Sequence, residues 1–151
     1  METMLDTRLV GYWSSKNLSL GVMEAADIAF RPDGYGWVYW SNAGGFFIMR
    51  FSWYVAENQQ LTLDIYEDSS GTWRWEGHRL RYRVASQDTC DTKTVLTYEI
   101  RQGRDVLGRP ATLLETGQPI SLGTVGSRFA FERELVGNEQ DPVARRYRRR
   151  R

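Results

Sequence analysis

Apolar and polar residues alternate along most of this chain with a period of two, the spacing of β-strands rather than of helices. Alternating or aromatic-rich runs occupy residues 9–15, 25–30, 36–41, 46–56, 61–67, 73–86, 94–101, 111–115 and 128–135. Turn-forming residues separate them. Arg31-Pro32-Asp33-Gly34, Asn42-Ala43-Gly44-Gly45, Glu57-Asn58-Gln59-Gln60 and Asp68-Ser69-Ser70-Gly71 are expected turns, and residues 87–92 an expected polar loop. Roughly eight to ten short strands at this spacing predict an all-β fold, built as a single antiparallel meander β-barrel. Only residues 17–26 and the stretch after Leu135 leave room for a helical turn.

The same period sorts side chains between two faces. Phe47, Met49, Phe51, Trp53 and Val55 share one face of their strand. A symmetric turn at Asn42 to Gly45 pairs Trp40 with Phe47 and Val38 with Met49, so these also point inward. Leu61, Leu63 and Ile65, then Leu80, Tyr82 and Val84, then Leu96, Tyr98 and Ile100, with Phe129 and Phe131, complete the expected interior. Arg79, Arg81 and Arg83 form a polar row opposite. The break in parity between Trp73 and Leu80 predicts a β-bulge near Glu76-Gly77. Trp37, Tyr39, Phe46, Ile48 and Tyr54 point away from the interior. Apolar residues on both faces require a cover from an N-terminal segment, a helical turn or a second subunit. We expect a homodimer, with Trp37, Tyr39, Phe46 and Ile48 at its interface.

Length and charge refine the picture. A chain of 151 residues, 41% hydrophobic, suffices for one core, and we divide it into a barrel domain at 1–135 and a polar C-terminal tail at 136–151. Residues 144–151 carry six of the 20 basic residues and none of the 19 acidic ones, leaving the body with 14 basic against 19 acidic. With no basic stripe evident elsewhere, nucleic acid is not an expected partner, and the tail reads as a solvated appendage. The N-terminus carries Glu2, Asp6 and Arg8 without an apolar run, and no stretch reaches the length of a membrane span. A cytoplasmic protein without a membrane partner is expected. One cysteine, Cys90, excludes an internal disulfide framework, and one histidine, His78, excludes most zinc sites.

Three patches, at residues 9–14, 30–36 and 51–63 in that order, together resemble the lipocalin-like (calycin-type) small barrel domains of bacteria. Leu9-Val10-Gly11-Tyr12-Trp13-Ser14 is similar to the Gly-x-Trp opening of the first strand. Phe30-Arg31-Pro32-Asp33-Gly34-Tyr35-Gly36 is similar to the turn after the second strand. Phe51-Ser52-Trp53-Tyr54-Val55 with Leu61-Thr62-Leu63 resembles the strand pair that follows. The resemblance covers residues 9–66. It implies a meander barrel with a ligand cavity or recognition surface at one mouth, and Trp13 at a closed end beneath Arg128 or Arg133 as a cation–π partner. The glycine-rich opening of haem-binding barrels is missing, and His78 is the sole candidate axial ligand.

The chemistry points to binding. The inward rings offer a cavity lined by Trp40, Phe51, Trp53, Tyr82, Tyr98 and Phe129, suited to a small apolar or aromatic molecule. No metal and no cofactor are expected. Two further uses fit the composition. One is a protein-interaction or inhibitor barrel acting through the exposed aromatic face. The other is a cofactor-independent cyclase or isomerase, in which His78, Tyr82 or Tyr98 would steer protons and His78 would stand at the cavity mouth. Acidic neighbours argue against a nucleophilic Cys90, and Asp27, Asp64 and Glu99 read as outward, solvated charges.

Overall fold

The computed structural model describes residues 4–18, 24–120, 126–135 and 139–147. Nine strands follow one another: β1 (Gly11–Ser14), β2 (Ala25–Phe30), β3 (Tyr35–Ser41), β4 (Gly45–Val55), β5 (Leu61–Glu76), β6 (Arg79–Leu96), β7 (Tyr98–Arg104), β8 (Pro110–Thr116) and β9 (Arg128–Arg133). A single 3-10 turn at Lys16–Leu18 and a short helix, α1 (Pro142–Tyr147), are the only helical elements among the described residues. No helix among them is long and apolar enough to cross a membrane. The expected all-β class therefore holds, as one antiparallel sheet.

The strand order is β6-β5-β4-β3-β2-β1-β9-β8-β7. The first six strands form a meander, and β9 returns to pair with β1. The two strands at the ends of this order, β6 and β7, are consecutive in the chain and separated only by Thr97. Gly117 donates its N–H to the Thr97 carbonyl at 2.8 Å, and the Gln118 amide donates to the Val95 carbonyl at 3.0 Å. The core gathers residues from both ends of the order: Phe51, Trp53, Leu61, Leu63 and Leu96 pack with Trp13, Leu114 and Phe129. The sheet thus bends around one interior.

The turn at Asn42 to Gly45 closes as expected, with Trp40 opposite Phe47 and Val38 opposite Met49. Asn42 stabilises it by accepting hydrogen bonds from the Gly44 and Gly45 N–H groups at 3.3 and 2.9 Å. Two other expectations fail. The expected turn at Asp68 to Gly71 lies within β5, and the expected loop at 87–92 lies within β6. The two polar stretches pair with each other, Asp68 opposite Asp88 and Ser69 opposite Gln87. Backbone ladders need no apolar side chains, so composition mistook a polar strand pair for two loops. The expected strand at 73–86 is instead split by a two-residue hairpin loop at Gly77-His78, with Gly77 at φ +64°. Parity therefore breaks by reversal of the chain, and the bulges sit at Ile65/Glu67 and Ser70/Gly71 instead of near Glu76.

Those shifts correct the face of three residues. Tyr82 and Val84, placed inward from the sequence, pack on the opposite face with Trp37, Phe46, Ile48 and Val143, and Leu80, opposite Trp75, shares that side of the hairpin. Phe131 also departs from expectation. It is 38% exposed, edge-on to Trp13 at 5.3 Å between ring centroids. Phe131 takes the position over Trp13 where an arginine was expected, and Arg133 sits over the Tyr12 ring instead, 4.7 Å from its centroid. Register decides this: Trp13 pairs with Phe131 and Tyr12 with Arg133, with a bulge between.

Candidate functional site

The interior has a filled section and an open margin. In the filled section Phe30 lies 5.8 Å from Phe51 and 5.1 Å from Trp53, ring to ring. Phe51, Trp53 and Phe129, three of the six expected ligand-lining residues, are wholly enclosed there. Trp53 donates its indole N–H to the Arg31 carbonyl at 3.2 Å, and Trp13 donates to the Leu9 carbonyl at 2.8 Å. These rings are packing partners for one another, so this section of the core is filled by side chains.

The open margin lies near the β3–β4 hairpin. Trp40, Phe47, Met49 and Cys90 are half-buried against the core cluster. Trp40 and Phe47 face each other across the strands with ring centroids 5.5 Å apart. Beyond Phe47 on the same side of the sheet comes Ser70, and beyond that Ser86, both exposed. The result is an aromatic shelf with a polar, water-facing border. Trp40 Nε1 is enclosed, yet no protein group accepts its hydrogen. Trp37 Nε1 shares that condition, but Trp37 is sealed on the opposite face. Cys90 donates weakly to the Ile65 carbonyl at 3.6 Å. Burial pushes its thiol up, and Asp68, Asp91, Glu67 and Asp88 add to this, which keeps the sulfur protonated and unreactive.

At the far end of β4 the N-terminal segment closes over the sheet. Met4 exchanges backbone hydrogen bonds with Val55, at 3.1 and 2.7 Å. A cavity of about 300 Å³ lies beside them, lined by Leu5, Asp6, Arg8, Val55 and Gln59 among others. Tyr98 donates its hydroxyl to Asp6 at 2.7 Å, and Arg8 donates to the same carboxylate at 2.8 Å. Burial and the Asp6 carboxylate push the Tyr98 hydroxyl up to about 12. Burial works against the Asp6 charge, but hydrogen bonds from Arg8 and Tyr98 hold its carboxyl below the usual range. Tyr98 is committed to this anchor.

The three candidate proton carriers therefore do not converge. His78 stands exposed at the hairpin loop between β5 and β6. Tyr82, expected both to line the cavity and to act, lies on the outer face with its hydroxyl 3.3 Å from that of Tyr39. Among the described residues no group of histidine, cysteine, aspartate or glutamate could hold a metal ion.

The outer face is covered by the chain itself. Trp37, Phe46 and Ile48 are buried, with Tyr39 half-buried beside them, under Trp73, Tyr82 and Val84 of the β5–β6 hairpin and Val143 of α1. The four residues expected at a dimer interface thus receive their cover within one chain. Arg50 fastens α1 there. Its Nε donates to Asp141 Oδ2 at 2.8 Å and its Nη2 to Asp141 Oδ1 at 3.1 Å, while Nη1 donates to Ser69 at 3.0 Å and to Glu67. Asp141 also caps the helix by accepting from the Ala144 N–H at 2.9 Å, with Pro142 in the first position. A lone arginine in an otherwise uncharged outward row was the available sequence signal for this clamp. Its partner, 91 residues away, was not legible.

Asp27 points outward as expected but is not a freely solvated charge. It is half-buried and accepts a hydrogen bond from the Tyr12 hydroxyl. Burial raises its carboxyl, and hydrogen bonds from Ser14 and Tyr12 offset this only in part. A carboxyl raised in the folded state stabilises most at low pH and loses that contribution as pH climbs through the raised value. Asp27→Asn removes the titration. The stability advantage of the native chain over this variant is therefore expected to shrink as pH rises from below the ordinary aspartate value of 3.8. Urea midpoints of both proteins across that rise test it, and a constant difference contradicts it.

Comparison of this chain with protein-family models, with curated proteins and with solved structures finds no match.

Proposed function

We propose that this protein is a lipocalin-like β-barrel that binds a small apolar or aromatic molecule on the shelf formed by Trp40, Phe47 and Met49. Closure of the barrel follows if β6 and β7 act as one bent strand through Thr97, joining the two ends of the strand order. The shared core of Leu96, Leu114 and Phe129 and the hydrogen bonds at Thr97 and Val95 support that reading. The observation that carries the binding site is Trp40: an enclosed indole donor without an acceptor, on a half-open aromatic surface. Buried donors in native proteins have partners with few exceptions, so an acceptor from a ligand fits this position. A ligand with a flat apolar body and one oxygen acceptor matches both features. Binding alone, without turnover, fits the separation of His78, Tyr82 and Tyr98.

The test uses 1-anilinonaphthalene-8-sulfonate, an aromatic probe with oxygen acceptors, in a fluorescence titration. Saturable binding at one site is expected. Trp40→Phe keeps the ring and removes the donor, and is expected to weaken binding about five- to tenfold, the value of one hydrogen bond. Met49→Trp fills the shelf and is expected to abolish saturable binding. Unaltered affinity in both variants, with both folded by circular dichroism, overturns the site.

A further inference from the structure

Beyond Thr72, β5 pairs as a strand with β6 alone, so residues 73–82 form a two-stranded arm, tied at its base by the Trp73 N–H on the Gly44 carbonyl at 3.0 Å. Its two faces differ sharply. Paired residues share a face, which puts Trp73 with Tyr82 and Trp75 with Leu80 on one side, and Arg74 with Arg81 and Thr72 with Arg83 on the other. Glu76 and Arg79, paired at the tip, join the second side. The apolar side is turned onto the body: Trp73 donates to the Asn42 carbonyl at 2.9 Å, and Trp73 and Tyr82 pack with Tyr39 and Phe46. The arginine side is left facing water.

That side is a concentrated cation. Arg74 stands directly across from Arg81, an arrangement that destabilises a strand pair unless an anion offsets it. The ion pairs on this face run from both arginines to one carboxylate, Glu76, at 3.7 and 3.4 Å. Four arginines thus face one glutamate. The Arg74 side chain is 80% exposed and that of Arg81 40%. Trp75, at the tip, is 65% exposed. Helix α1 packs at the base of this arm, its Val143 in the same cluster as Trp73 and Tyr82.

We infer that this arm is a nucleic-acid-binding element, its arginine face carrying the phosphates of a single strand that turns over the hairpin tip, where Trp75 on the reverse face offers a ring to a base. Guanidinium groups match phosphate oxygens in a two-point geometry, and aromatic side chains stack on bases without sequence preference. Hairpin pairing adds Arg74 to the row of Arg79, Arg81 and Arg83 that strand alternation already placed on one face.

The experiment is fluorescence anisotropy of a fluorescein-labelled thymidine 20-mer with the full chain at several salt concentrations. Binding that weakens with salt is expected. Arg74→Gln with Arg81→Gln should weaken it on the order of tenfold and reduce the salt slope by about 1.4, some 0.7 per phosphate contact on a single strand. Trp75→Ala should weaken it further at unchanged salt slope. Arg148→Gln to Arg151→Gln, made together, separates the tail from the arm. The inference is overturned if the double arm variant, shown folded by circular dichroism, binds as the native chain does. It is equally overturned if poly-L-glutamate at matched charge competes as well as unlabelled oligonucleotide does, which would assign the arm to an acidic protein surface.

Discussion

Replacing Phe51 with alanine is expected to lower the free energy of unfolding by about 3–5 kcal/mol, measured by urea denaturation. Phe51 is wholly enclosed and lies at ring-contact distance from Phe30. Strands from both ends of the sheet order bury side chains in the same cluster, so no single neighbour can move in to fill the space. Domains of this size are stable by only about 5–15 kcal/mol, so a loss of this size takes a substantial part of the total. Gly36 shows how tight the same spot is. A methyl group there would lie 2.1 Å from the Ala29 carbonyl oxygen and 2.7 Å from Phe51 Cε1. Gly36→Ala is therefore expected to destabilise severely as well. Because the nearest atom is backbone of the paired strand, combining it with Phe51→Leu should not restore stability. Full rescue in the double variant would show that the ring, and not the strand spacing, sets the limit.

Arg50→Ala is expected to cost about 3–5 kcal/mol and to release α1. Asp141 is only 5% exposed and would be left as an uncompensated buried charge, no longer held by the two-point contact with Arg50. Ser69, also buried, would lose its donor. Removing both charges together, as Arg50→Met with Asp141→Leu, is expected to cost much less than the sum of the single changes, since apolar groups can replace a buried ion pair. Unfolding midpoints of the four proteins complete the cycle. Limited proteolysis after residue 135 reports release of the helix. Additive effects, with no change in proteolysis, would contradict the clamp.

The same element explains why the apolar outer row does not by itself imply a second subunit. Trp37, Phe46 and Ile48 were legible as outward and apolar, and the need for a cover was a sound inference. What supplies it depends on two distant pieces of chain. One is the outer part of the β5–β6 hairpin, whose polar midsections read as loops. The other is Val143, in a helix too short to show periodicity. Neither announces itself locally.

Period-two alternation determined the class of fold and the inward set from Phe47 to Val55, because strand geometry sends neighbouring side chains to opposite faces whatever surrounds them, and the turn at Asn42 to Gly45 set the β3–β4 register. It also singled out Trp40, whose enclosed and unanswered N–H only coordinates could reveal. Tertiary structure decided the rest: which polar stretches pair, which rings fill the interior, where Arg133 and Phe131 fall, and that Arg50 meets Asp141. These outcomes turn on chain reversal at Gly77 and on the two bulges that reset side-chain parity, and on contacts between residues far apart in sequence. A one-residue slip exchanges both faces of a strand, so local pattern cannot carry the assignment past such a point.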